Sequence, residues 1–490
     1  MDANENGESF LSKVPEKFKI PTGTKLKFGV GSLGYAMSSG VFAAWLTNFY
    51  IKILEINYFQ YGLAWILYLV WNSINDPLIG LLEDKTRTRI GRRKPWLIVA
   101  TPLIGLSLIF LFFPPANLDP GLDSTQWIYF TWLFSGLMLY DLFYTIVGIS
   151  ENALVAELTI HPVERANTNL FWSIGQGLGQ VFTFVIPFFY IVDKPGIPYK
   201  TNFSTIQFFI LVFGILGSIF LAIFSLGIKE KKIVALEKRD EMGLLESLKT
   251  TIKNKGFLIY SVLLFVMTFF YTIAYSQLTF LVQDVLQISS DDFLSFTPIV
   301  SFLGSSLIGF PVGISLNKRY GGKKATMYLL CILIIGLILL TFSFNVWWAN
   351  ITLVIVGIGN AGAVVVYSTL MGDVIDKDEL DTGYRREGAY FGSAAFFTKP
   401  AQSVAAGIVA LVFSLTNYVQ GASEQSFPAK FGILLTIGLI PAAFMIFGLL
   451  VLRKFPFDAS TEEYQAMKNK IDKHHDAVLK RQLDSSSLGS

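Results

Sequence analysis

The residues with the clearest potential for chemistry are charged side chains that interrupt long apolar stretches. Asp76 follows Asn72 and Asn75 in one such stretch, and Lys399 lies within the segment FFTKPAQSV of another. An ionisable group at the middle of a membrane costs about 2.5–3.5 kcal/mol on insertion scales, so it normally faces a partner or a water-filled cavity. We therefore expect Lys399 to contact Asp76, or Asp141 of a third stretch, inside the molecule.

Asp76 shares one helical face with other oxygen-bearing side chains. A sodium ion needs several oxygen ligands, whereas a proton needs one carboxylate. We therefore predict a cation site on this face; the alternative is that Asn75 and Asp76 only cap the backbone ahead of Pro77. The polar residues of the face follow the spacing i, i+4, i+7 and i+8 of a helix: Tyr68, Asn72, Asn75 and Asp76.

The stretch 126–155 carries two more acids among many aromatic residues. Asp141 lies deep enough to face a cavity, whereas Glu151 is closer to one end and next to Asn152. We interpret Glu151 as a side chain that borders water. Several aromatic residues can line a cavity for a sugar face or an acyl chain, with helix packing as the alternative for each: Tyr35, Trp45, Tyr140, Tyr144, Trp172 and Tyr271.

The composition explains why these charges need partners. Of 490 residues, 52% are hydrophobic and 15% are charged, whereas soluble proteins have about 25% charged residues. The net charge of +3, with basic residues in short loops, argues against a nucleic-acid partner. With one cysteine and three histidines, we expect no metal site, no catalytic residues, no enzyme activity and no cofactor beyond a coupling ion.

Twelve apolar runs are long enough to cross about 30 Å of hydrocarbon, which takes about 20 helical residues. We predict an all-α membrane protein with tails at 1–27 and 453–490 and two six-helix halves at 28–228 and 256–452, joined by a polar loop at 229–255. The runs lie near 28–51, 59–83, 96–115, 126–155, 168–192, 203–228, 256–281, 293–316, 325–344, 347–372, 388–416 and 428–452.

The basic residues predict the orientation in the membrane. Lys and Arg concentrate in both tails and in the loops after even-numbered helices, whereas the loops of the other side carry only Lys52, Lys194, Lys200 and Lys430. Loops rich in Lys and Arg stay in the cytoplasm. We therefore expect a multi-pass protein of the cell membrane, a monomer with both tails cytoplasmic.

The two halves share a weak sequence repeat. GLLEDKTRTRIGRRK at 80–94 follows the second helix, and GISLNKRYGGKK at 313–324 follows the eighth. A glycine, a polar residue and a basic hairpin suit a tight turn that can open when two halves rock. We assign a gating role to Asp84, Arg92 and Arg93; positive charge that only sets the orientation is the alternative.

Three separated motifs resemble those of the glycoside-pentoside-hexuronide:cation symporters, the melibiose permease-like family of the major facilitator superfamily. The resemblance spans about 28–452. It implies two pseudo-symmetric six-helix bundles around a central cavity, and symport of a small organic solute, a sugar or glycoside, with sodium or a proton. The motifs are NDPLIGLLEDKTRTRIGRRKPW at 75–96, ALVAELTIHPVER at 153–165 and DVIDKDELDTGYRREG at 373–388.

The resemblance also implies roles for single residues. Thr145 matches a hydroxyl near the family's cation site, and Lys399 matches a lysine used in coupling. The first acid of the family's Asp-x-x-Asn-Asp pattern is Asn72 here, which favours a proton over sodium. The acids, tryptophan and arginine with which sugar-transporting members bind hydroxyl groups are replaced, in order, by Ser38, Gly148, Asn152 and Ser173.

The replacement of these hydroxyl-binding residues leaves two classes of cargo open. The family also contains lysophospholipid symporters, so an amphiphile is the alternative to a sugar, and uncoupled lipid translocation is the alternative to symport.

A mixed charge cluster in the third motif can form an ion-pair latch between the halves, with a solvated turn as the alternative. Its gating candidates are Asp373, Asp376, Arg385, Arg386 and Glu387.

The C-terminal tail contains a charge-rich helical pattern, DASTEEYQAMKNKIDKHHDAVLKRQ. We expect it to be a solvated extension; packing on the cytoplasmic face is the alternative.

Overall fold

The computed structural model describes the chain in several stretches, within which regular structure is helical apart from one isolated bridge between Thr88 and Gly91. The described residues are 19–115, 118–158, 162–191, 203–228, 250–288, 293–383, 387–420, 422, 424–471 and 473–474.

The first half contains six long helices. The helix α1 continues into a π-helical turn at Phe49–Ile53. The helices are α1 Thr22–Asn48, α2 Tyr58–Lys85, α3 Lys94–Phe112, α4 Asp123–Leu158, α5 Pro162–Ile191 and α6 Phe203–Gly227.

The second half is built in the same way, with a π-helical turn at Leu281–Val285 after α7 and another at Leu435–Leu439 between α12 and α13. A further helix covers 462–471. The helices are α7 Lys255–Phe280, α8 Thr297–Gly304, α9 Ser306–Leu340, α10 Val346–Thr382, α11 Glu387–Leu415, α12 Phe427–Leu434 and α13 Ile440–Leu452.

Each predicted apolar run coincides with a described helix or with its π-helical extension. Within the described ranges, eight helical segments are long and apolar enough to cross a membrane. The helices α1, α2 and α5 are not among them, because glycine and polar residues interrupt their apolar sequence. These three helices carry several of the predicted site residues, among them Ser38, Asp76 and Ser173. The number of twelve passages stays a prediction.

The helix α9 contains a reversal of the chain. Gly321 has φ 77° and ψ 166°, outside the helical region. Gly309, before this point, packs on Ile358 of α10, and Gly336, after it, packs on Val356 of the same helix. Segments on both sides of Gly321 therefore run alongside one stretch of α10, which confirms the two separate helices predicted at 293–316 and 325–344.

Glycines let the helices of the first half approach closely. A Cβ atom on Gly34 of α1 would overlap with the backbone of Gly217 in α6, and one on Gly175 of α5 would overlap with that of Gly29 in α1. Close backbone contact of this kind replaces the hydrophobic driving force that is absent between helices in lipid.

Among the described residues, the halves meet mainly along two helix pairs, α1 with α7 and α2 with α11. The helices α1 and α7 end alike: each passes through a π-helical turn to a residue with positive φ, Glu55 (φ 53°) and Gln287 (φ 52°). Matching ends accord with the internal repeat of the sequence.

The two ends of the helix bundle differ. One, here called the basic face, comprises the loop 86–93, the turn at Gly321 and residues 453–471; there, Lys323 Nζ donates to the carbonyl of Phe455 at 2.7 Å. The other, here called the opposite face, comprises 54–57, 286–288, 416–420 and 424–426; there, Gln420 Nε2 donates to the carbonyl of Ile56 at 2.8 Å. That the basic face is cytoplasmic stays a prediction.

The C-terminal segment corrects one prediction. The helix 462–471 is not a solvated extension but packs on the basic face, where Met467 and Ile471 are buried. Lys324 Nζ also donates to Ser460 Oγ at 2.8 Å. The apolar residues lie on one side of this helix, and that side supplies the reason for docking.

We expect Gly175→Ala to destabilise the protein by about 1–3 kcal/mol, the usual cost of overpacking, because the new methyl group overlaps with α1. Gly177→Ala, two residues along the same helix, is the matched control, since a Cβ there meets open space and alanine favours the helix by about 1 kcal/mol. Thermal unfolding in detergent measures both. Equal midpoints for the two variants would contradict the close approach.

Candidate cation and substrate site

The charged residues predicted inside the membrane meet where α2, α4 and α11 come together. Lys399 of α11 forms an ion pair with Asp76 of α2. Its Nζ also lies 3.3 Å from Oδ1 of Asp141 and donates to Oγ1 of Thr145 at 2.9 Å, both on α4. Oγ1 of Thr145 in turn donates to Oδ1 of Asp76 at 2.8 Å. The expected contact between Lys399 and an acid of another helix is thus confirmed. We call these four residues the charge cluster.

Local sequence explains how the helices present these groups. Asp141 and Thr145 are four residues apart on α4 and therefore point to the same side. Lys399 precedes Pro400, which lies inside α11 and has no N–H group to complete the backbone ladder. The lysine therefore stands where its helix is locally weakened, next to the interface with α2.

Two asparagines of α2 extend the charge cluster. Asn75 Nδ2 donates to Oδ2 of Asp141 at 2.9 Å and to Oγ1 of Thr145 at 3.2 Å. Among the described residues, Oδ1 of Asn75 and both amide atoms of Asn72 have no hydrogen-bond partner, although both side chains are buried. A buried polar group without a partner costs about 1–3 kcal/mol. The amide oxygens are thus available to a cation.

The charges of the cluster do not balance. With Asp76 and Asp141 ionised, two carboxylates face the one ammonium group of Lys399. The side chains of Lys399 and Asp76 keep 13% and 15% of their exposure, whereas Asp141 keeps 3%. Asp76 is therefore the acid that water and a small cation can reach. A single added positive charge, from a proton or a sodium ion, would neutralise the cluster.

An aromatic wall adjoins the charge cluster. The rings of Tyr35 and Tyr144 stack with centroids 4.5 Å apart, and those of Phe42 and Tyr140 stack at 4.7 Å. Ser38 Oγ donates to the hydroxyl of Tyr140 at 3.3 Å. The predicted cavity residues Tyr35, Ser38 and Tyr144 therefore lie on one surface formed by α1 and α4.

Gly148 lies against the side chain of Tyr35. A Cβ atom on Gly148 would lie 2.6 Å from the hydroxyl oxygen of Tyr35. The tyrosine thus occupies the space that a side chain at position 148 would need. Ser173 of α5 is exposed, and the side chain of Asn152 lies outside the described residues.

Glu151 is placed differently from the prediction. It is 1% exposed and does not border water. Its carboxyl group interacts electrostatically with Tyr35 of α1 and Trp172 of α5, so neighbouring helices cover it. The sequence position near the end of an apolar run suggested water because the packing of α5 against α1 is not visible in the sequence.

The gating candidates of α10 contact the C-terminal helix. Asp373 and Asp376 each lie 2.7 Å from Nζ of Lys468, and the hydroxyl of Tyr464 donates to Asp373 at 3.0 Å. Burial opposes the charge of Lys468, but the two carboxylates outweigh it and raise the pKa of the ammonium group. Side chains of the remaining candidates in this loop lie outside the described residues: Arg385, Arg386 and Glu387.

In the loop after α2, Arg93 forms an ion pair with Glu83 at 2.9 Å, and Ser150 Oγ donates to the same carboxylate at 2.8 Å. Glu83 was missed by sequence reasoning; its signal is its place beside Asp84 in the first motif. Arg92 is half-buried in the same loop, and the side chain of Asp84 is not described.

A polar cluster that the sequence did not predict joins the two halves at the opposite face. Lys52, after α1, lies 2.7 Å from Oδ2 of Asp284 and donates to Oε1 of Gln283 at 2.7 Å. The hydroxyl of Tyr418, after α11, donates to Asp284 at 2.9 Å. This cluster joins α1, α7 and the end of α11. Its signal in the sequence is Lys52, one of the few basic residues on that side.

We expect Lys399→Gln to destabilise the protein by about 3–5 kcal/mol, the cost of breaking a buried ion pair, because Asp76 and Asp141 then repel each other. Adding Asp76→Asn to this variant restores part of the loss. Lys377→Gln is the control, since its pair with Asp381 is exposed and worth at most about 1 kcal/mol. Thermal unfolding measures all three; no recovery in the double variant would contradict the pairing.

Residues 27–459 match the family described as MFS/sugar transport proteins. A curated relative, the sodium-dependent lysophosphatidylcholine symporter 1 of Xenopus tropicalis, is 24% identical over 534 residues, which cover 99% of this chain and 96% of the relative. The glucuronide carrier protein homolog of Escherichia coli is 24% identical over 439 residues, which cover 88% and 92%.

A solved structure has the same fold. It is that of a bacterial homolog of the human lysosomal transporter Spinster, in an inward-facing conformation, with a TM-score of 0.64 and 12% identity over 90% of this chain and 99% of that chain. The family match covers most of the sequence, and its members are transporters and not enzymes. This chain therefore belongs to the MFS/sugar transport protein family, as a multi-pass membrane protein with the major facilitator fold.

Proposed function

We propose that this protein is a secondary active transporter that couples one monovalent cation, a proton or sodium, to the symport of an organic solute. The observation that carries the proposal is the position of Lys399 between Asp76 and Asp141. The three groups leave one negative charge in an apolar setting, and such a site gains from binding one cation.

The coupling follows from competition for the same oxygens. A cation that binds Asp76 weakens its attraction for Lys399, which links α2 and α4 of the first half to α11 of the second. Loss of this link lets the halves move against each other, which is the motion of alternating access. The unpaired amide oxygens of Asn72 and Asn75 supply further ligands for a sodium ion.

The opposite-face cluster supports the same cycle. Lys52 and Asp284 hold the end of α1 against the end of α7, so the two halves are joined at the opposite face. Opening that face requires the ion pair to part, and closing the other requires the halves to approach at the basic face. Binding at the charge cluster, between the two faces, can bias that exchange.

Two cargo classes are supported by different observations. The family description and the glucuronide carrier homolog favour a sugar or glycoside. The hydroxyl of Tyr35 fills the space beside Gly148, so an acid at this position, where the resemblance places one in sugar-binding relatives, would have to displace the tyrosine. This favours the second candidate, an amphiphile such as a lysophospholipid, in accord with the lysophosphatidylcholine symporter relative.

We expect Asp76→Asn to lower gradient-driven uptake by about tenfold or more, since a loss of 1.4 kcal/mol in binding already gives that factor. Purified protein in liposomes is tested with a labelled glucuronide and with labelled lysophosphatidylcholine, each under a sodium or a pH gradient. Asp381→Asn, at an exposed position, is the control. Transport of either cargo that needs no gradient and persists in Asp76→Asn would identify an uncoupled translocase instead.

A further inference from the structure

Glu151 is a buried acid that the charge cluster does not use. It lies ten residues after Asp141 on α4, which is about 15 Å along a helix at 1.5 Å per residue, in the direction of the basic face. Its side chain is 1% exposed, and its Oε1 has no hydrogen-bond partner among the described residues. It is therefore a separate group with unfilled bonding capacity.

Glu83 of α2, a second buried acid near Glu151, is fully paired. It has the guanidinium group of Arg93 at 2.9 Å and the hydroxyl of Ser150 at 2.8 Å. Ser150 directly precedes Glu151 on α4. The helix α4 thus directs Ser150 toward the ion pair of Glu83 and Arg93. Its next residue, Glu151, has no cationic partner among the described residues.

Among the described residues, the groups that interact with the carboxyl group of Glu151 are uncharged aromatic side chains. Tyr35 comes from α1, Tyr144 from α4 and Trp172 from α5. The indole of Trp172 interacts with the carboxyl group of Glu151, but its N–H group and Oε1 of Glu151 do not reach the geometry of a hydrogen bond, and neither has another partner among the described residues. Ser150, the residue before Glu151, donates to Glu83 of α2, which is paired with Arg93.

Such surroundings determine which form of the acid the closed pocket can hold. An ionised carboxylate buried without a cation costs several kcal/mol, and in practice the group takes a proton instead. A proton needs no cavity, whereas a metal ion or an ammonium group needs space and further ligands. The ligand that fits this pocket is therefore a proton.

Tyr144 connects this pocket with the charge cluster. Its ring stacks on that of Tyr35 with centroids 4.5 Å apart. Its hydroxyl interacts electrostatically with Glu151 as well as with Asp76 and Asp141. A movement of α1 against α4 that separates the two rings would therefore change the surroundings of both sites.

We propose that Glu151 is a second proton-binding site of this transporter, distinct from the charge cluster. The acid carries its proton while Tyr35, Tyr144 and Trp172 close over it. When the helices part and water enters, the O–H bond breaks, the proton passes to water and the carboxylate remains. The proposal rests on the proposed function only for the movement that opens the pocket; proton binding itself can be tested without transport.

The first test is infrared spectroscopy of the purified protein in lipid nanodiscs at neutral pH. Compared with the wild type, Glu151→Gln is expected to lose one carbonyl band of a protonated carboxyl group. Glu424→Gln, at an exposed position, is the control and is expected to lose none. An unchanged band in Glu151→Gln would overturn the proposal, whatever transport assays show.

A second test uses the unmodified chain, in case the Gln variant does not fold. Dicyclohexylcarbodiimide reacts with protonated carboxyl groups in apolar surroundings: the acid adds across one C=N bond, and the adduct rearranges to a stable N-acylurea. Mass spectrometry is expected to find this label on Glu151 and not on Glu83, with less label as the pH rises. Label on both acids alike, or none on Glu151, would overturn the proposal.

Discussion

The cost of placing charge in hydrocarbon is the constraint on which the rest of this structure depends. Asp76, Asp141 and Lys399 come from three helices and two halves of the chain, and each requires the others to be tolerated inside the bundle. Their contact is therefore a structural support and a point of control at once. Under the proposed function, a cation that replaces part of this pairing would act on the interface between the halves, which a site within one half could not do.

The polar helices that meet at this point are held together by close backbone packing. Glycines bring α1 within contact of α5 and α6, and this places Tyr35 over Gly148 and Glu151. The shape of the cavity wall is thus a consequence of small residues elsewhere. The space beside the backbone of Gly148 is filled by the hydroxyl of Tyr35.

The two ends of the bundle differ in which parts of the chain their ion pairs join. At the opposite face, Lys52 and Asp284 join the halves directly. At the basic face, Lys468 of the C-terminal helix pairs with Asp373 and Asp376 of the same half. These acids are therefore engaged by the protein's own tail in this conformation. Any latch across the halves that uses them has to compete with Lys468.

The helices, the reversal near Gly321 and the pairing of Lys399 with acids of other helices were predictable from the amino-acid sequence, because length, hydropathy and the cost of buried charge are properties of local sequence. The burial of Glu151, the approach of Tyr35 to Gly148, the cluster at Lys52 and the docking of the C-terminal helix were not predictable in this way. These depend on how closely particular helices approach, and that distance is set by packing between residues far apart in the chain.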